Sequence, residues 1–471
     1  MPDTRRVTAP ASKSLSHRYC TGAALADGES RLRHVLESRD IQCTRAILSA
    51  AGASFLPDGH SGHGDAAGWR VHGMPGGLPR GATPDAPLSC DVHESGTTCR
   101  LLTAVLAAGR GCFRIHGAPR MHERPIAALT DALGLLGPRI RFEDRPGCPP
   151  LLIETDGLDA GAVQGRVPLG MDHSSQYLSG LLLAAPLAGT AGGLPLTIVL
   201  TGGKAVSWPY VGLTLQCLQD FGIRFAVETL DADEQWRPLP GDGWRHLDAA
   251  IPGRLRITVW PGRYRPGVHI VEGDWSGASY LLGAGAVGGN PVRVGGLRRD
   301  SLQGDRAILD ILRGMGAQLS VEEDAVTVLP SPLHGIDADM SACPDLVPTV
   351  AVLAAAAHGE TRIRNVAHLR IKESDRIAAP ARELERAGVR VEPQDDGLVV
   401  YGAGPDVLAA NLRALPSDTR FRAHNDHRIA MSLALLSMLP GVDFRIRDRI
   451  DDPHTVAKSF PHFWDLWEEL R

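Results

Sequence analysis

Six segments of the chain share one pattern, and this repeat limits the folds open to it. Each begins with polar residues, continues with an alanine- and leucine-rich stretch of helical length, closes on a glycine and leads into a short β-branched stretch. The closing glycines lie 81, 80, 99, 71 and 82 residues apart, at Gly28, Gly109, Gly189, Gly288, Gly359 and Gly441. Such units exceed the roughly 20 to 50 residues of solenoid repeats. They predict two α/β domains of three repeats each.

A second pattern of helix, glycine and strand alternates with the first. Its glycines are Gly52, Gly137, Gly222, Gly316 and Gly388. Each repeat is therefore predicted to alternate strands with two helices. Glycine readily adopts the left-handed conformation in which many helices end, so we interpret both sets as helix caps rather than ligand contacts.

Composition excludes several classes of protein. The 471 residues carry a net charge of −5, and the basic residues form no long stripe, so no nucleic-acid partner is predicted. The longest apolar stretches fall short of the roughly 18 residues of a membrane span, and no apolar leader is visible at the start. The eight cysteines contain no C-x-x-C spacing, which argues against a zinc site or a disulfide framework. We expect a cytoplasmic protein.

Polar residues mark the start of each buried helix. These starts are 12–18 (SKSLSHR), 93–100 (HESGTTCR), 172–176 (DHSSQ), 273–279 (GDWSGAS), 343–345 (CPD) and 424–428 (HNDHR). One such start alone is an ordinary helix cap. Six of them, several beside a cation, offer free N–H groups that suit phosphate or carboxylate oxygens. They predict a polyanionic small molecule held between two domains.

Two further stretches combine cations and carboxylates. The run PRMHERP at 119–125 alone is typical of a solvated helical face. The run LRIKESDR at 369–376 places a lysine beside a glutamate, a pair that can move protons in a cleft. Lysine is rare in this chain, with 45 arginines against Lys13, Lys204, Lys372 and Lys458.

Together the motifs resemble the 5-enolpyruvylshikimate-3-phosphate (EPSP) synthases. The set runs in the family's order from residue 12 to 463: SKSLSHR, SGTTCR, APRMHERP, SSQYLSG, SWPY, PD, LRIKESDR, NDHRIAM and DPHTVAKSFPHF. The resemblance implies an α/β fold, the two-domain inside-out barrel of six βαβαββ repeats. It places 13–270 in one domain, on the shikimate 3-phosphate side and with insertions near 57–70 and 227–247. Residues 1–12 with 271–471 form the other domain, and the active site lies in the interdomain cleft.

The resemblance also implies a reaction of aromatic amino-acid biosynthesis on the shikimate pathway to chorismate. The carboxyvinyl group of phosphoenolpyruvate is transferred to the 5-hydroxyl of shikimate 3-phosphate, and phosphate leaves through a tetrahedral intermediate. No metal and no organic cofactor take part. The expected partners are these two small molecules, without nucleic acid or membrane, and the expected state is a monomer.

Site residues follow from the matching motifs. The residues implied for shikimate 3-phosphate are Lys13, Ser14, Arg18, Ser174, Ser175, Gln176, Ser207, Tyr210, Asp345 and Lys372. Those implied for phosphoenolpyruvate are Lys13, Gly96, Arg124, Gln176, Arg376, Arg428 and Lys458. Because the hydroxyl needs a base and the methylene carbon an acid, we assign catalytic roles to four residues. Asp345 is the base, Glu373 the proton donor to the methylene carbon, Lys13 the acid for the departing phosphate, and His427 a positioning residue.

Two positions depart from the family pattern. Glu94 and Ser95 precede Gly96 where many members carry Asn-Ala, which places a carboxylate near the phosphoenolpyruvate end. Gly96 itself leaves space for the inhibitor glyphosate, so sensitivity is predicted. His368 stands where asparagine is common, and no ligand role is carried over to it.

Three alternatives compete with this assignment. A UDP-N-acetylglucosamine enolpyruvyl transferase of the same fold carries a Lys-Asn pair and a loop cysteine, whereas here Lys13 precedes Ser14 and APRMHERP has no cysteine. An RNA-end-processing cyclase needs a basic track that the net charge does not favour. A non-catalytic binding protein on this fold is expected to lose Lys13, Asp345, Glu373 or Lys458, and all four are present.

Overall fold

The computed structural model describes residues 4–59, 66–189, 193–247 and 249–471. The strands in these ranges are β1 Arg5–Thr8, β2 Glu29–Leu36, β3 Ser54–Pro57, β4 Ala66–His72, β5 Leu88–Asp91, β6 Gly111–His116, β7 Arg139–Phe142, β8 Leu151–Thr155, β9 Arg166–Gly170, β10 Leu196–Thr201, β11 Phe225–Leu230, β12 Trp236–Pro238, β13 Leu255–Val259, β14 Val268–Ile270, β15 Val292–Gly295, β16 Gln318–Val321, β17 Ala325–Leu329, β18 Asp337–Asp339, β19 His358–Arg364, β20 Arg390–Gln394 and β21 Gly397–Ala403. The helices are α1 Lys13–Leu25, α2 Arg39–Ala50, α3 Gly96–Ala107, α4 Ala127–Leu135, α5 Gln176–Ala184, α6 Pro209–Asp220, α7 Trp275–Val287, α8 Ile308–Gly314, α9 Val347–Ala356, α10 Ala378–Arg386, α11 Pro405–Ala414, α12 His427–Ala434 and α13 Phe463–Leu470.

The chain forms two compact units. Unit A is Lys13–Val271, and unit B is Met1–Ser12 together with Glu272–Arg471. Unit A holds three sheets, with strand orders β14-β2-β4-β3, β5-β6-β8-β7 and β12-β11-β13-β10-β9. Unit B holds two sheets in its described residues, with orders β1-β15-β17-β16 and β18-β19-β21-β20.

Each of the five sheets follows one plan. One edge strand of each sheet pairs in parallel with its neighbour, as β5 with β6 and β18 with β19, and in three of the sheets a buried helix connects these two strands. The last two strands of a repeat form an antiparallel pair, as β8 with β7, and β8 lies between β6 and β7. Parallel neighbours require a crossover connection, which explains why the alanine- and leucine-rich segment between the two strands is a helix in these three repeats.

Two repeats take their first strand from a distant part of the chain. The N-terminal strand β1 pairs with β15 in unit B, with Arg5 opposite Val292. The first sheet of unit A is completed by β14, whose Val268 lies opposite Arg31 of β2. Each unit is thus closed by a strand far in sequence from its neighbour.

The six predicted helix starts are confirmed. Helices α1, α3, α5, α7, α9 and α12 begin within or directly after the six polar motifs. They lie deep in their units, and every residue of α7 and α9 is buried. A helix that is apolar on all sides is stable only when it is buried in this way.

Most of the glycines have the left-handed conformation expected of helix caps, and Gly288, which lacks it, is still the cap residue of α7, where its amide donates to the Ala284 carbonyl oxygen. All five glycines of the second pattern have positive φ, as do four of the six closing glycines. Gly109 and Gly288 do not. They are needed for close approach, since a Cβ would lie 2.4 Å from the Pro79 carbonyl oxygen at Gly109 and 2.5 Å from that of Ala284 at Gly288.

The sixth repeat departs from the expected strand. The stretch DFRIRD was expected to form a strand after Gly441, but Ile446–Arg449 is a 3-10 helix. Its neighbourhood contributes an isolated parallel bridge between Phe421 and Ile450. Apolar residues alternate with polar ones only at Phe444 and Ile446, and the alternation ends at Asp448. Ile446 and Ile450 are both buried, and their spacing of four residues is typical of a helix and not of a strand.

The two insertions differ in what the structure describes. In 227–247, β12 forms a sheet edge and Trp244 is buried with its ring 5.6 Å from that of Phe225, so the stretch is partly packed. In 57–70, residues 60–65 lie outside the described residues, and they include most of the histidine-rich part of DGHSGHGDAAGWR, for which the sequence favours a solvated loop over a metal site. Within the described ranges, no helix is long and apolar enough to cross a membrane.

Candidate active site

Lys13 begins α1 and faces a carboxylate. Its Nζ lies 3.1 Å from Oδ2 of Asp40 on α2, and both side chains are largely buried. The contact fixes the direction of an ammonium group that would otherwise sample many rotamers. Ser14 follows Lys13 on the same turn, and its carbonyl oxygen accepts a hydrogen bond from Arg18.

Arg18 lies inside unit A, 1% exposed. Its guanidinium donates to Thr214 Oγ1 at 2.8 Å, to Ser179 Oγ at 3.2 Å and to the Tyr210 carbonyl oxygen at 2.9 Å. Burial lowers the pKa of Arg18 to about 10, which leaves it charged at neutral pH. The structure therefore shows Arg18 tying α1 to α5 and α6, and its predicted contact with shikimate 3-phosphate stays a prediction.

The start of α3 brings two arginines onto a glycine. Ser95 caps the helix by accepting from Thr98 N at 3.2 Å. A Cβ added to Gly96 would lie 2.5 Å from Nη2 of Arg124 and 2.7 Å from Nη1 of Arg100. Both arginines are buried, so only glycine leaves room for the two cations at this helix end.

Gln176 joins the same cluster from the start of α5. Its Oε1 accepts from Arg100 Nη1 at 2.9 Å, and its Nε2 donates to Thr97 Oγ1 at 2.9 Å. Arg100 had no predicted role, although it stands one helical turn after Gly96 and so shares its face. The structure thus brings together three of the predicted phosphoenolpyruvate residues of unit A.

Three more predicted residues of unit A, Ser174, Ser175 and Ser207, lie on buried turns, whereas Tyr210 is half-buried in the first turn of α6. Ser174 and Ser175 are buried, and Ser174 Oγ accepts from the Gln176 amide at 3.2 Å. Ser207 is buried with a left-handed φ of 55°, a conformation uncommon outside glycine that often marks functional turns. Lys204 is exposed, and its backbone amide donates to Asp172.

In unit B, Arg376 is the centre of a buried ionic cluster. Its guanidinium contacts Asp345 at 2.8 Å, Glu373 at 3.0 Å and Asp426 at 2.7 Å. Although burial lowers it, the three carboxylates raise the pKa of Arg376 above its usual value. One cation thus orients three acids, two of which are predicted catalytic residues.

Two more predicted cations join this cluster. Arg428 Nη2 lies 2.7 Å from Asp345 Oδ2, and Lys458 Nζ lies 3.8 Å from Glu373 Oε1. Lys372 is half-buried, and its charge acts on Asp345. The structure therefore gathers Arg376, Arg428, Lys458 and Lys372 into direct or electrostatic contact with Asp345 or Glu373.

The charge states of this cluster follow from its cations. Burial raises the pKa of Asp345, but Arg428, Arg376 and Lys372 outweigh it and hold that pKa well below its usual range. Asp345 is therefore ionised throughout the neutral pH range. A base must be unprotonated before it acts, which this environment ensures.

Three members of the cluster were missed from the sequence. Asp426 caps α12 and had no individual predicted role, yet it accepts from Arg376 and from Ser374 Oγ at 2.9 Å. Asp305 is buried against Ser276, and burial followed by the charge of Asp345 raises its pKa to about 7. Tyr280 is fully buried, and burial raises the pKa of its phenol to about 12. Their neighbours are distant in sequence, so no local motif indicated them.

His427 occupies the first position of α12. The ring is buried, and its Nδ1 lies 3.8 Å from Asp426 Oδ1. Among the described residues, no group of three or more histidine, cysteine, aspartate or glutamate side chains is arranged to hold a metal ion.

Comparison with known proteins gives a consistent match across the chain. The profile of EPSP synthase (3-phosphoshikimate 1-carboxyvinyltransferase) matches residues 4–467. A 3-phosphoshikimate 1-carboxyvinyltransferase of Paraburkholderia phymatum is 38% identical, over 98% of this chain and 96% of its own. One from Thiobacillus denitrificans is 39% identical with the same coverage. The chain belongs to the EPSP synthase family. The family predicted from the motifs is confirmed.

Solved structures extend the match to the fold. An EPSP synthase from Acinetobacter baumannii superimposes with a TM-score of 0.69 at 24% identity, covering 100% of this chain and 97% of the other. The enolpyruvyl transferase NikO from Streptomyces tendae gives a TM-score of 0.68 at 20% identity, with 100% and 96% coverage. The predicted enolpyruvyl transferase fold of the EPSP synthases is therefore confirmed.

Proposed function

We propose that this chain is a 3-phosphoshikimate 1-carboxyvinyltransferase of the shikimate pathway. It transfers the carboxyvinyl group of phosphoenolpyruvate to the 5-hydroxyl of shikimate 3-phosphate and releases phosphate. The observation that carries the proposal is the buried cluster around Arg376, in which an anionic base, Asp345, and a second carboxylate, Glu373, share one guanidinium. This arrangement supplies separate groups for the two proton transfers that the reaction requires.

Phosphoenolpyruvate takes the arginine-rich positions in this proposal. Its carboxylate and phosphate match the fork geometry of Arg124, Arg376 and Arg428, and Lys458 adds a compact charge. The absence of a side chain at Gly96 lets the guanidinium of Arg124 lie against the start of α3. Shikimate 3-phosphate takes the serine-rich turns, together with Lys13, Lys372 and Asp345, as the motif match implies.

In the addition step, Asp345 removes the proton of the 5-hydroxyl as the oxygen bonds to C2 of phosphoenolpyruvate. Glu373, which first takes up a proton from solvent, gives that proton to the methylene carbon C3, which becomes a methyl group. The product of this step is a tetrahedral intermediate that still carries the phosphate. A substrate anion that binds Arg376 and Arg428 competes with Asp345 for them, and this raises the basicity of Asp345 when it is needed.

In the elimination step, the bond between C2 and the phosphate oxygen breaks. Lys13 donates a proton to that bridging oxygen, and Glu373 takes back a proton from the methyl group as the double bond forms. Glu373 thus returns to its starting state, whereas Asp345 has gained a proton and Lys13 has lost one. Transfer of that proton from Asp345 to Lys13 through solvent restores both residues, so the net proton passes from the hydroxyl to phosphate. The ammonium of Lys13 is held for this role by Asp40.

The alternative, UDP-N-acetylglucosamine enolpyruvyl transfer, is not favoured. The profile and curated relatives reported above carry the name 3-phosphoshikimate 1-carboxyvinyltransferase over nearly the whole chain. Serine rather than asparagine follows Lys13. A cytoplasmic location and a monomeric state stay part of the proposal.

Phosphate release tests the proposed reaction. Purified protein is given phosphoenolpyruvate with shikimate 3-phosphate, and in a parallel assay with UDP-N-acetylglucosamine. We expect release with the first pair and none with the second. Absence of release with shikimate 3-phosphate from folded protein would end the assignment.

A further inference from the structure

Glu383 is a buried carboxylate that the proposed mechanism does not use. It lies on α10 with its side chain 1% exposed. Its Oε1 lies 2.9 Å from His424 Nε2, and its Oε2 accepts from the Arg422 amide at 3.0 Å and from Arg386 Nε at 3.2 Å. A carboxylate is seldom buried so fully unless its partners hold it there. Two of these three contacts join α10 to the segment 422–424, and the third, from Arg386, lies within α10.

That segment leads into an unusual backbone. His424 and Asn425 have φ values of 54° and 55°, two consecutive left-handed residues without a glycine. Such conformations persist only where the surroundings fix them, and they concentrate at functional sites. The contacts from Glu383 to the Arg422 amide and to the His424 ring hold the chain at the point where this turn begins.

The turn ends at Asp426, which belongs to the ionic cluster. Asp426 is completely buried and accepts from Arg376 at 2.7 and 3.1 Å and from Ser374 Oγ at 2.9 Å. It also accepts from the Arg428 amide at 3.0 Å. A shift of the turn therefore moves the acceptor that orients Arg376 and the backbone that carries Arg428.

We infer that Glu383 is a positioning residue for the phosphoenolpyruvate end of the site. It acts through His424 and the left-handed turn on Asp426, and through Asp426 on Arg376 and Arg428. The inference rests on the proposed function, because the two arginines are assigned to phosphoenolpyruvate there. Misplacement of a binding group by about 1 Å can cost roughly a hundredfold in rate, so a supporting contact of this kind has a measurable effect.

Three variants and one control test this path. Glu383→Met keeps the volume and removes the acceptors, and Glu383→Gln restores an acceptor for the Arg422 amide. His424→Asn keeps a residue that tolerates the left-handed backbone but is too short to reach Glu383. The control is Glu385→Met, an exposed position on the same helix. Each protein is assayed for KM with both substrates, for kcat and for its thermal unfolding temperature.

The expected result is a change in KM for phosphoenolpyruvate without a matching change in KM for shikimate 3-phosphate. We expect KM for phosphoenolpyruvate to rise roughly tenfold in Glu383→Met and in His424→Asn, with KM for shikimate 3-phosphate within about twofold. Glu383→Gln should recover much of the loss. The double variant Glu383→Met with His424→Asn should be no worse than the worse single variant, because both act through one contact. Glu385→Met should match the wild type.

Other outcomes overturn the inference. A lower unfolding temperature with both KM values unchanged would show that Glu383 contributes to stability and does not position the site. Equal increases in both KM values also contradict it. If Glu383→Met does not fold, the two KM values of His424→Asn test the inference in the same way. Failure of the wild type to release phosphate would instead contradict the proposed function, so the two failures are distinguishable.

Discussion

At the scale of single residues, Gly96 is defined by what surrounds it. Gly96→Ala places a methyl group within 2.5 Å of Arg124 Nη2 and 2.7 Å of Arg100 Nη1, so both guanidinium groups must move. We predict that KM for phosphoenolpyruvate rises roughly tenfold while KM for shikimate 3-phosphate changes little. The control is Gly134→Ala on α4, where a Cβ meets nothing within 4 Å. Steady-state kinetics with an unchanged phosphoenolpyruvate KM in Gly96→Ala would contradict this geometry.

His17 predicts a dependence of stability on pH. The ring is fully buried, its Nδ1 lies 2.8 Å from Thr44 Oγ1, and burial lowers its pKa from 6.5 to about 3. Between these two values the unfolded chain binds a proton that the folded chain does not. The free energy of unfolding therefore falls as pH falls through this window. From pH 7.5 to pH 5 this one group removes about 2 kcal/mol.

Urea unfolding of wild type and His17→Gln checks this effect. The variant has no group to protonate at this position, so it should lose less stability on acidification than the wild type. The stability difference between the two proteins should shift in favour of the variant by about 2 kcal/mol from pH 7.5 to pH 5. A difference that stays constant with pH would show that His17 is not the source.

At the scale of elements, Asp426 both caps α12 and contacts the buried guanidinium of Arg376. Asp426→Asn retains a good cap for α12, since asparagine and aspartate cap equally well. It removes one of the charges that surround buried Arg376. We predict a loss of about 2 kcal/mol or more in the free energy of unfolding, together with a higher KM for phosphoenolpyruvate.

The matched control is Asp159→Asn at the start of the 3-10 helix Ala160–Val163. Asp159 is exposed and accepts from the Gly161 amide at 2.8 Å in the same capping role. This change should lower the free energy of unfolding by less than about 0.5 kcal/mol, because asparagine caps a helix as well as aspartate does. Equal losses in the two variants, measured by urea unfolding, would mean that the charge on Asp426 is unimportant.

The elements also show what a sequence can and cannot predict. The six helix starts were predictable because polarity changes sharply where each buried helix begins. The strand expected at DFRIRD was not formed, because two alternating apolar residues do not specify a strand without a partner. Arg100 and Asp426 were within quoted motifs, yet their contacts with Gln176 and Arg376 join parts of the chain 50 or more residues apart. No local pattern records such contacts.

At the scale of the whole molecule, the distribution of lysine becomes a prediction. In a chain that uses arginine almost everywhere, three of four lysines lie at motif positions. The guanidinium of arginine is planar and does not lose its proton in a protein, whereas the ammonium group of lysine is compact and can lose one. We predict that Lys13→Arg, Lys372→Arg and Lys458→Arg each lower kcat by roughly a hundredfold or more. Lys204→Arg, at an exposed position, is the control and should match the wild type. Wild-type rates in all three test variants would contradict this interpretation.

The pairing of β1 with β15 has a consequence for synthesis. Strand β1 is made before its partner β15, which at Val292 emerges only after the whole of unit A. At roughly 5 to 20 residues per second the ribosome needs about 15 to 60 seconds to reach that partner. During this interval β1 is a free strand edge, and its two arginines, Arg5 and Arg6, oppose pairing with other nascent chains. We therefore expect β1 to stay unpaired until β15 of unit B has been translated.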